Sequence, residues 1–354
     1  MREEMIEKGN LEKYLKGLFG EEITLKEFSQ LGEGVHGTGF SIVLDTEAGI
    51  KRLVLKDLAG EGLGHDLPSD RASVFLWAKD NYRLLPKHIK AVDVAMLTEA
   101  GAVQSIGTGK EYYLLMEEAK GINYFTDLDS MAVKDSLDES DKKKIYMMSD
   151  YLSEIHKVKK ESRILYWRKL RDTIGHGECL MGVFDTYPDG TIDYEEMAEI
   201  EKKCIDWRAK LKPEFKRLCQ IHGDFHPGNI WFKDSEDFIL LDRSRGPWGD
   251  AADDITALTI NYIFFSINKF GRLYGPYSEA LKLFYDRYIR SSGDSGLYSV
   301  VAPFYAFRGV VVANPVFYPA VTHKNRRRIF NFIHSVLEDR DFSPDRVNDY
   351  IEAR

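Results

Sequence analysis

Cysteine is scarce: Cys179, Cys204 and Cys219 are the only three in 354 residues, and no two form a CxxC pair. That excludes a disulfide framework and a thiolate zinc knuckle, and it fits a reducing compartment, so a cytoplasmic location is expected. Long apolar runs are missing too. The most apolar stretches, 255–267 and 300–312, are too short or too interrupted to span a bilayer, and Met1-Arg2-Glu3-Glu4-Met5 has no apolar signal core. A membrane role is not expected. Positive charge is not in excess either. Lys plus Arg is 49 against 57 for Asp plus Glu, a net charge of −8, which argues against a general nucleic-acid-binding field. The basic run Lys324-Asn325-Arg326-Arg327-Arg328 has no interleaved aromatics and reads as a solvated helix face. Repeats and low-complexity tracts are absent as well. What remains is an ordinary composition, 44% hydrophobic and 12% aromatic, on a chain long enough for one large domain or two lobes.

Leu11, Tyr14, Leu15 and Leu18 share a helical face that should end near Gly20. Short β-rich runs follow from 28 to 58, with strands expected at 40–45 and 51–58 around the Glu47-Ala48-Gly49 turn. A helix is expected over 69–85, ended by Pro86, and two more strands at 92–97 and 112–116. Beyond them the chain reads as helical, at 141–156, 195–211 and 255–270. The expected class is therefore α+β and two-lobed. A small β-rich N-terminal lobe (1–116) precedes a larger helical C-terminal lobe (117–354), with a hinge near 117–121.

The most informative stretch is His222-Gly223-Asp224-Phe225-His226-Pro227-Gly228-Asn229, followed by Phe238-Ile239-Leu240-Leu241-Asp242. Runs 230–232 and 238–241, joined by a polar turn at 233–237, predict a β-hairpin. Asn229 precedes its first strand and Asp242 follows its second, so both fall at one end of the ribbon, roughly 5 Å apart. Asp224 lies on the loop entering that end. Two carboxylates and an amide oxygen suit Mg²⁺, with one carboxylate free to orient a hydroxyl. Taken singly, Asp224 and Asn229 also read as loop residues satisfying their own backbone. Gly32, Gly34 and Gly37 form a G-x-G-x-x-G run that leads into a strand. A dinucleotide-binding turn leads into a helix instead, and no Gly-Lys-Ser/Thr closes a Walker loop. Lys56, in the strand after that hairpin, could reach a phosphate or simply snorkel on an edge.

Together these residues resemble the aminoglycoside phosphotransferase family of small-molecule kinases, which have a protein-kinase-like fold. The resemblance includes Leu114-Leu115-Met116-Glu117-Glu118 and Gly249-Asp250-Ala251-Ala252-Asp253-Asp254. It implies that Asp224 is the catalytic base and that Asn229 and Asp242 hold Mg²⁺. Lys56 would contact the α- and β-phosphates of ATP beneath the glycine loop. Adenine would lie against the backbone of 117–119, that is Glu117 to Ala119, with Met116 behind it. Asp254 would buttress the catalytic loop.

Three departures stand out. Residues 69–85 hold no glutamate to pair with Lys56, leaving Asp70 or Glu61 as candidates, and Asp70 equally suits a helix cap. His226 occupies the slot two after the catalytic Asp, where protein kinases carry Lys. Arg243 and Arg245 follow Asp242, either as anion binders or as surface partners of Asp250, Asp253 and Asp254. Only eleven residues separate Asp242 from Asp254, too few for a peptide platform, so a small hydroxylated acceptor is expected. Asn261, Tyr262 and the aromatic run 304–318 would wall it. In that run Arg308 could clamp an anion, though the run also reads as helix-packing core. The function expected is transfer of the γ-phosphoryl of ATP to a small metabolite. The alternative is a non-catalytic nucleotide-binding regulator of the same fold. Neither acceptor identity nor oligomeric state is readable.

Overall fold

The structure, a computed structural model, describes residues 6–352 apart from 35–36, 61, 83, 85 and 234–236. Glu61, named above as a partner for Lys56, lies outside the described residues. The chain divides into two compact units, Met1–Met116 and Glu117–Arg354.

In the first unit, helix α1 (Lys8–Phe19) precedes an antiparallel sheet in the order β1 (Thr24–Gly34), β2 (Gly37–Thr46), β3 (Gly49–Lys56). Leu11 and Leu15, one helical turn apart, bury against Ile23, Leu25, Ile42 and Leu44. The pleat turns Leu53 and Leu55 of β3 toward this cluster, so Val54 and Lys56 face away from it. After β3 come α2 (Pro68–Tyr82) and a short pair, β4 (Ala95–Leu97) with β5 (Val103–Ser105). Two expectations fail here. The strand expected at 92–97 shrinks to its last three residues, and 112–116 forms no strand. Among the described residues no strand pairs with that second run, and Tyr113, Leu114 and Leu115 are almost fully exposed.

The second unit holds a far larger core. Its elements are β6 (Ile122–Asn123), α3 (Tyr124–Met131), α4 (Glu139–His156), α5 (Arg163–Gly175), α6 (Leu180–Phe184) and α7 (Tyr194–Leu211). Strands β7 (Cys219–Gln220), β8 (Ile230–Phe232), β9 (Phe238–Leu240) and β10 (Trp248–Gly249) follow. The chain ends in α8 (Ala251–Phe270), α9 (Gly275–Ser292), α10 (Ala302–Ala313), α11 (His323–Glu338) and α12 (Val347–Glu352). Helix α8 is apolar nearly all round and buried from Ala251 to Phe264. Asp250 caps its start through the Ala252 N–H at 3.0 Å, and Gly271 closes it in the left-handed conformation. Among the described residues no helix is long and apolar enough to cross a membrane.

Candidate active site

The His222–Asn229 loop leaves β7, which pairs with β10, and Ile221 extends that pairing by donating to Pro247 O at 3.0 Å. Gly223 takes φ +89 as the chain turns. Asp254, on the first turn of α8, fixes this turn from below. Its two carboxylate oxygens accept the His222 and Gly223 N–H groups, each at 2.7 Å, while His156 of α4 contacts Oδ2 at 3.1 Å and Tyr288 at 2.8 Å. Sequence reasoning missed His156, since a histidine at a helix end carries no local signal.

Asp224 is buried on this loop. Its Oδ1 accepts from Arg308 Nη1 at 2.5 Å, with Arg245 Nη1 at 3.5 Å. His226 Nε2 lies 3.9 Å from Oδ2, beyond hydrogen-bond reach. Burial by itself would raise the Asp224 pKa, but the charges of Arg308, Arg245 and His226 outweigh it and hold the carboxyl below its usual range. His226 Nδ1 accepts from the Gly228 N–H at 3.1 Å, which leaves the proton of a neutral ring on Nε2. Burial pushes this imidazole below its ordinary pKa, the two arginines reinforce the shift and Asp224 opposes it.

Arg308 of α10 is itself buried and also donates to Gly223 O at 3.1 Å and to Asp253 Oδ1 at 2.7 Å. Lys169 of α5 grips the other Asp253 oxygen at 2.7 Å. Burial would raise the Asp253 pKa, yet Lys169 and Arg308 together bring it down to about 2. Lys169 can lie flat here because Gly249 has no side chain: a Cβ there would sit 3.1 Å from Lys169 Cγ. Nothing in its local sequence marked Lys169. Arg245 and Arg243 also depart from the surface-pairing expectation. Arg245 turns to Asp224, and Arg243 donates to Ile221 O at 2.8 Å, tying the segment after Asp242 to the loop.

Strands β8 and β9 pair as Ile230↔Leu240, and Leu241 N–H reaches Asn229 O at 3.0 Å, so Asn229 and the residue before Asp242 meet at one end of the ribbon. Asn229 Nδ2 donates to Asp224 O at 3.0 Å, which directs its Oδ1 elsewhere. Asp242 is exposed and holds φ +49, a strained conformation for a side-chain-bearing residue. Among the described residues no three His, Cys, Asp or Glu side chains form a metal-binding group. Asn229 Oδ1 and the Asp242 carboxylate nevertheless suit a hard cation that takes its remaining oxygens from water and phosphate.

In the first unit, Gly32 pairs with Gly39 and Gly34 with Gly37 across the β1–β2 hairpin, whose tip residues Val35 and His36 lie outside the described residues. Gly39 pairs in turn with Lys56, so the register sets that lysine beside the base of the glycine hairpin. Gly37 is required by packing, because a Cβ there would fall 2.2 Å from Asp57 O. Asp70 accepts the Leu67 N–H at 2.8 Å at the start of α2. Met116 and Glu117 are exposed and Ala119 is half-buried, so Met116 is not core. Asn261 and Tyr262 are buried instead of walling an open site: Tyr262 bonds Tyr124 at 3.1 Å, and Asn261 donates to Ala257 O. Most of the 304–313 run is core as well.

A family model described as "Phosphotransferase enzyme family" matches residues 101–290, more than half of the chain. The chain belongs to the phosphotransferase enzyme family. Its α+β elements divide into a first unit built on a three-stranded sheet and a larger, mostly helical second unit. Several solved structures are similar. An amicoumacin kinase, hAmiN, in complex with AMP-PNP, Ca²⁺ and amicoumacin is 12% identical, with 98% of each chain covered and a TM-score of 0.42. A glucosamine kinase with glucosamine, ADP and inorganic phosphate is 12% identical over 90% of this chain and 94% of that one, TM-score 0.43. An ethanolamine kinase from Plasmodium vivax is 11% identical over 96% and 85%, TM-score 0.36. None of the curated proteins matches significantly.

Proposed function

We propose that this phosphotransferase moves the γ-phosphoryl group of ATP to a hydroxyl of a small molecule, with Asp224 aligning that hydroxyl. The observation that carries the reading is the state of Asp224: buried, ionised, fixed through its loop by Asp254, and with no hydrogen bond to Oδ2 among the described residues. The acceptor oxygen forms the new bond to phosphorus as the bond to the leaving diphosphate breaks and takes its electron pair with it. The hydroxyl proton passes to Asp224 Oδ2. A carboxylate of lowered pKa is a weak base, which suits a loose transition state in which the hydroxyl keeps its proton until late. His226, neutral, stands with Nε2 3.9 Å from the same oxygen and lines the approach of the acceptor.

In this reading Asn229 and Asp242 hold Mg²⁺, which would neutralise phosphate oxygens when bound. Lys56 and the amides around Gly32, Gly34 and Gly37 take the phosphates, and Glu117 to Ala119, with Met116, take the adenine. Asp70 supports the start of α2. Rate gains come from positioning and charge neutralisation.

A second reading has an observation of its own. Arg308 already occupies one oxygen of Asp224, and helix α2 carries no glutamate for Lys56, which favours a nucleotide-binding regulator without turnover. ADP release from ATP, measured for the protein and for Asp224→Ala, separates the two. The phosphotransferase reading expects a fall on the order of a thousandfold in the variant. Equal rates would establish the regulator.

A further inference from the structure

The polar interior around Asp224 is crowded with cations. Arg308, Lys169 and Arg245 converge on Asp224 and Asp253, three cations on two carboxylates. Glu178, mostly exposed, lies 3.9 Å from Arg245 Nε. Donors are left over as well. The buried Nε of Arg308 and the buried Nε and Nη1 of Arg245 make no hydrogen bond among the described residues. Leaving such donors unmet costs about 1–3 kcal/mol each, a cost a ligand would remove.

Their orientation is informative. Both guanidinium carbons lie over the Phe307 ring, 5.4 Å from its centroid for Arg245 and 4.5 Å for Arg308. A cation over an aromatic ring still needs partners for its N–H groups. The unmet donors here, Nε of Arg308 with Nε and Nη1 of Arg245, match the oxygens of a carboxylate or a phosphate, whereas an ammonium would be repelled.

Building on the phosphotransferase reading, we propose that the acceptor is an alcohol bearing an anionic group, a carboxylate or a phosphate ester. The unmet N–H donors of Arg245 and Arg308 hold that group while Asp224 Oδ2 receives the hydroxyl. Arg245 thereby sets acceptor specificity.

The test uses the full chain with Mg²⁺, with and without ADP. Glycerate, glycerol 3-phosphate, glycerol and ethanolamine are titrated calorimetrically, and ADP release from ATP is followed with each. At least one anion should bind with a Kd below about 10 mM and roughly tenfold or more tighter than glycerol and ethanolamine. Arg245→Gln should remove most of that preference, weakening the anion roughly tenfold more than it changes glycerol. The better of the two anions identifies the group. The proposal is overturned if glycerol or ethanolamine binds as well as the anions, if no anion binds, or if Arg245→Gln weakens all four compounds alike, as a structural role would. ATP binding in the same samples tests the parent reading separately. Anion binding without ATP binding would remove the kinase and leave the anion site, whereas ADP release blind to acceptor charge would do the reverse.

Discussion

Asp254 shows how much one carboxylate can hold. Two backbone N–H groups of the His222–Asn229 loop and a buried histidine depend on it. Asp254→Ala should therefore lower stability by about 3 kcal/mol, read from the denaturant midpoint. Asp254→Asn keeps one accepting oxygen and should lose less. Acid sensitivity follows from the neighbouring ion pairs. Asp253, at about 2, sits below its unfolded value of 3.8. Its contribution is thus complete above about pH 4 and is lost as pH falls through its folded pKa. Asp224 and Asp250 shift in the same direction. Urea midpoints should hold steady from neutral pH to about 4 and drop below it, with Asp253→Asn flattening the drop. Arg308 and His156 explain why so much of this site was hidden in the sequence. Arg308 lies 84 residues from Asp224, and His156 lies 98 from Asp254, so no local spacing links them. The loop of Asp224, His226 and Asn229, by contrast, is one contiguous stretch.

At the scale of elements, helices were easier to read than short strands. The helix expected at 195–211 forms as α7 (Tyr194–Leu211), and that at 255–270 as α8 (Ala251–Phe270). Their apolar spacing is written in the chain, since a helix satisfies its own backbone. A strand does not, and 112–116 has strand composition without a partner to complete it. The glycine hairpin gives a test at this scale. Gly37→Ala forces a Cβ onto the Asp57 carbonyl and should cost about 2 kcal/mol in thermal unfolding of the first unit. Gly32→Ala meets open space and should cost far less.

For the whole molecule, the cores explain the thiols. All three cysteines are buried and unpaired. Burial pushes Cys179 up to about 11 and raises Cys204 and Cys219 further, so little thiolate exists near neutral pH. A thiol reagent at pH 8 should label none of them in the folded chain and all three in denaturant, and fast labelling of Cys179 would show that its cover opens. The charged cluster of Arg308, Lys169 and Asp253 is a feature of the same interior, assembled from α10, α5 and α8.

The amino-acid order by itself determined the α+β class, the helical periodicity and the grouping of Asp224, Asn229 and Asp242 about one short ribbon, because each depends on neighbours a few residues apart. Tertiary structure alone decided that Asp224 is ion-paired, that Asn261 and Tyr262 are core, and that Arg245 and Arg308 keep donors to spare. Burial and charge pairing arise between elements distant in sequence, where the free energy of a buried charge is set by whichever groups the fold brings to it.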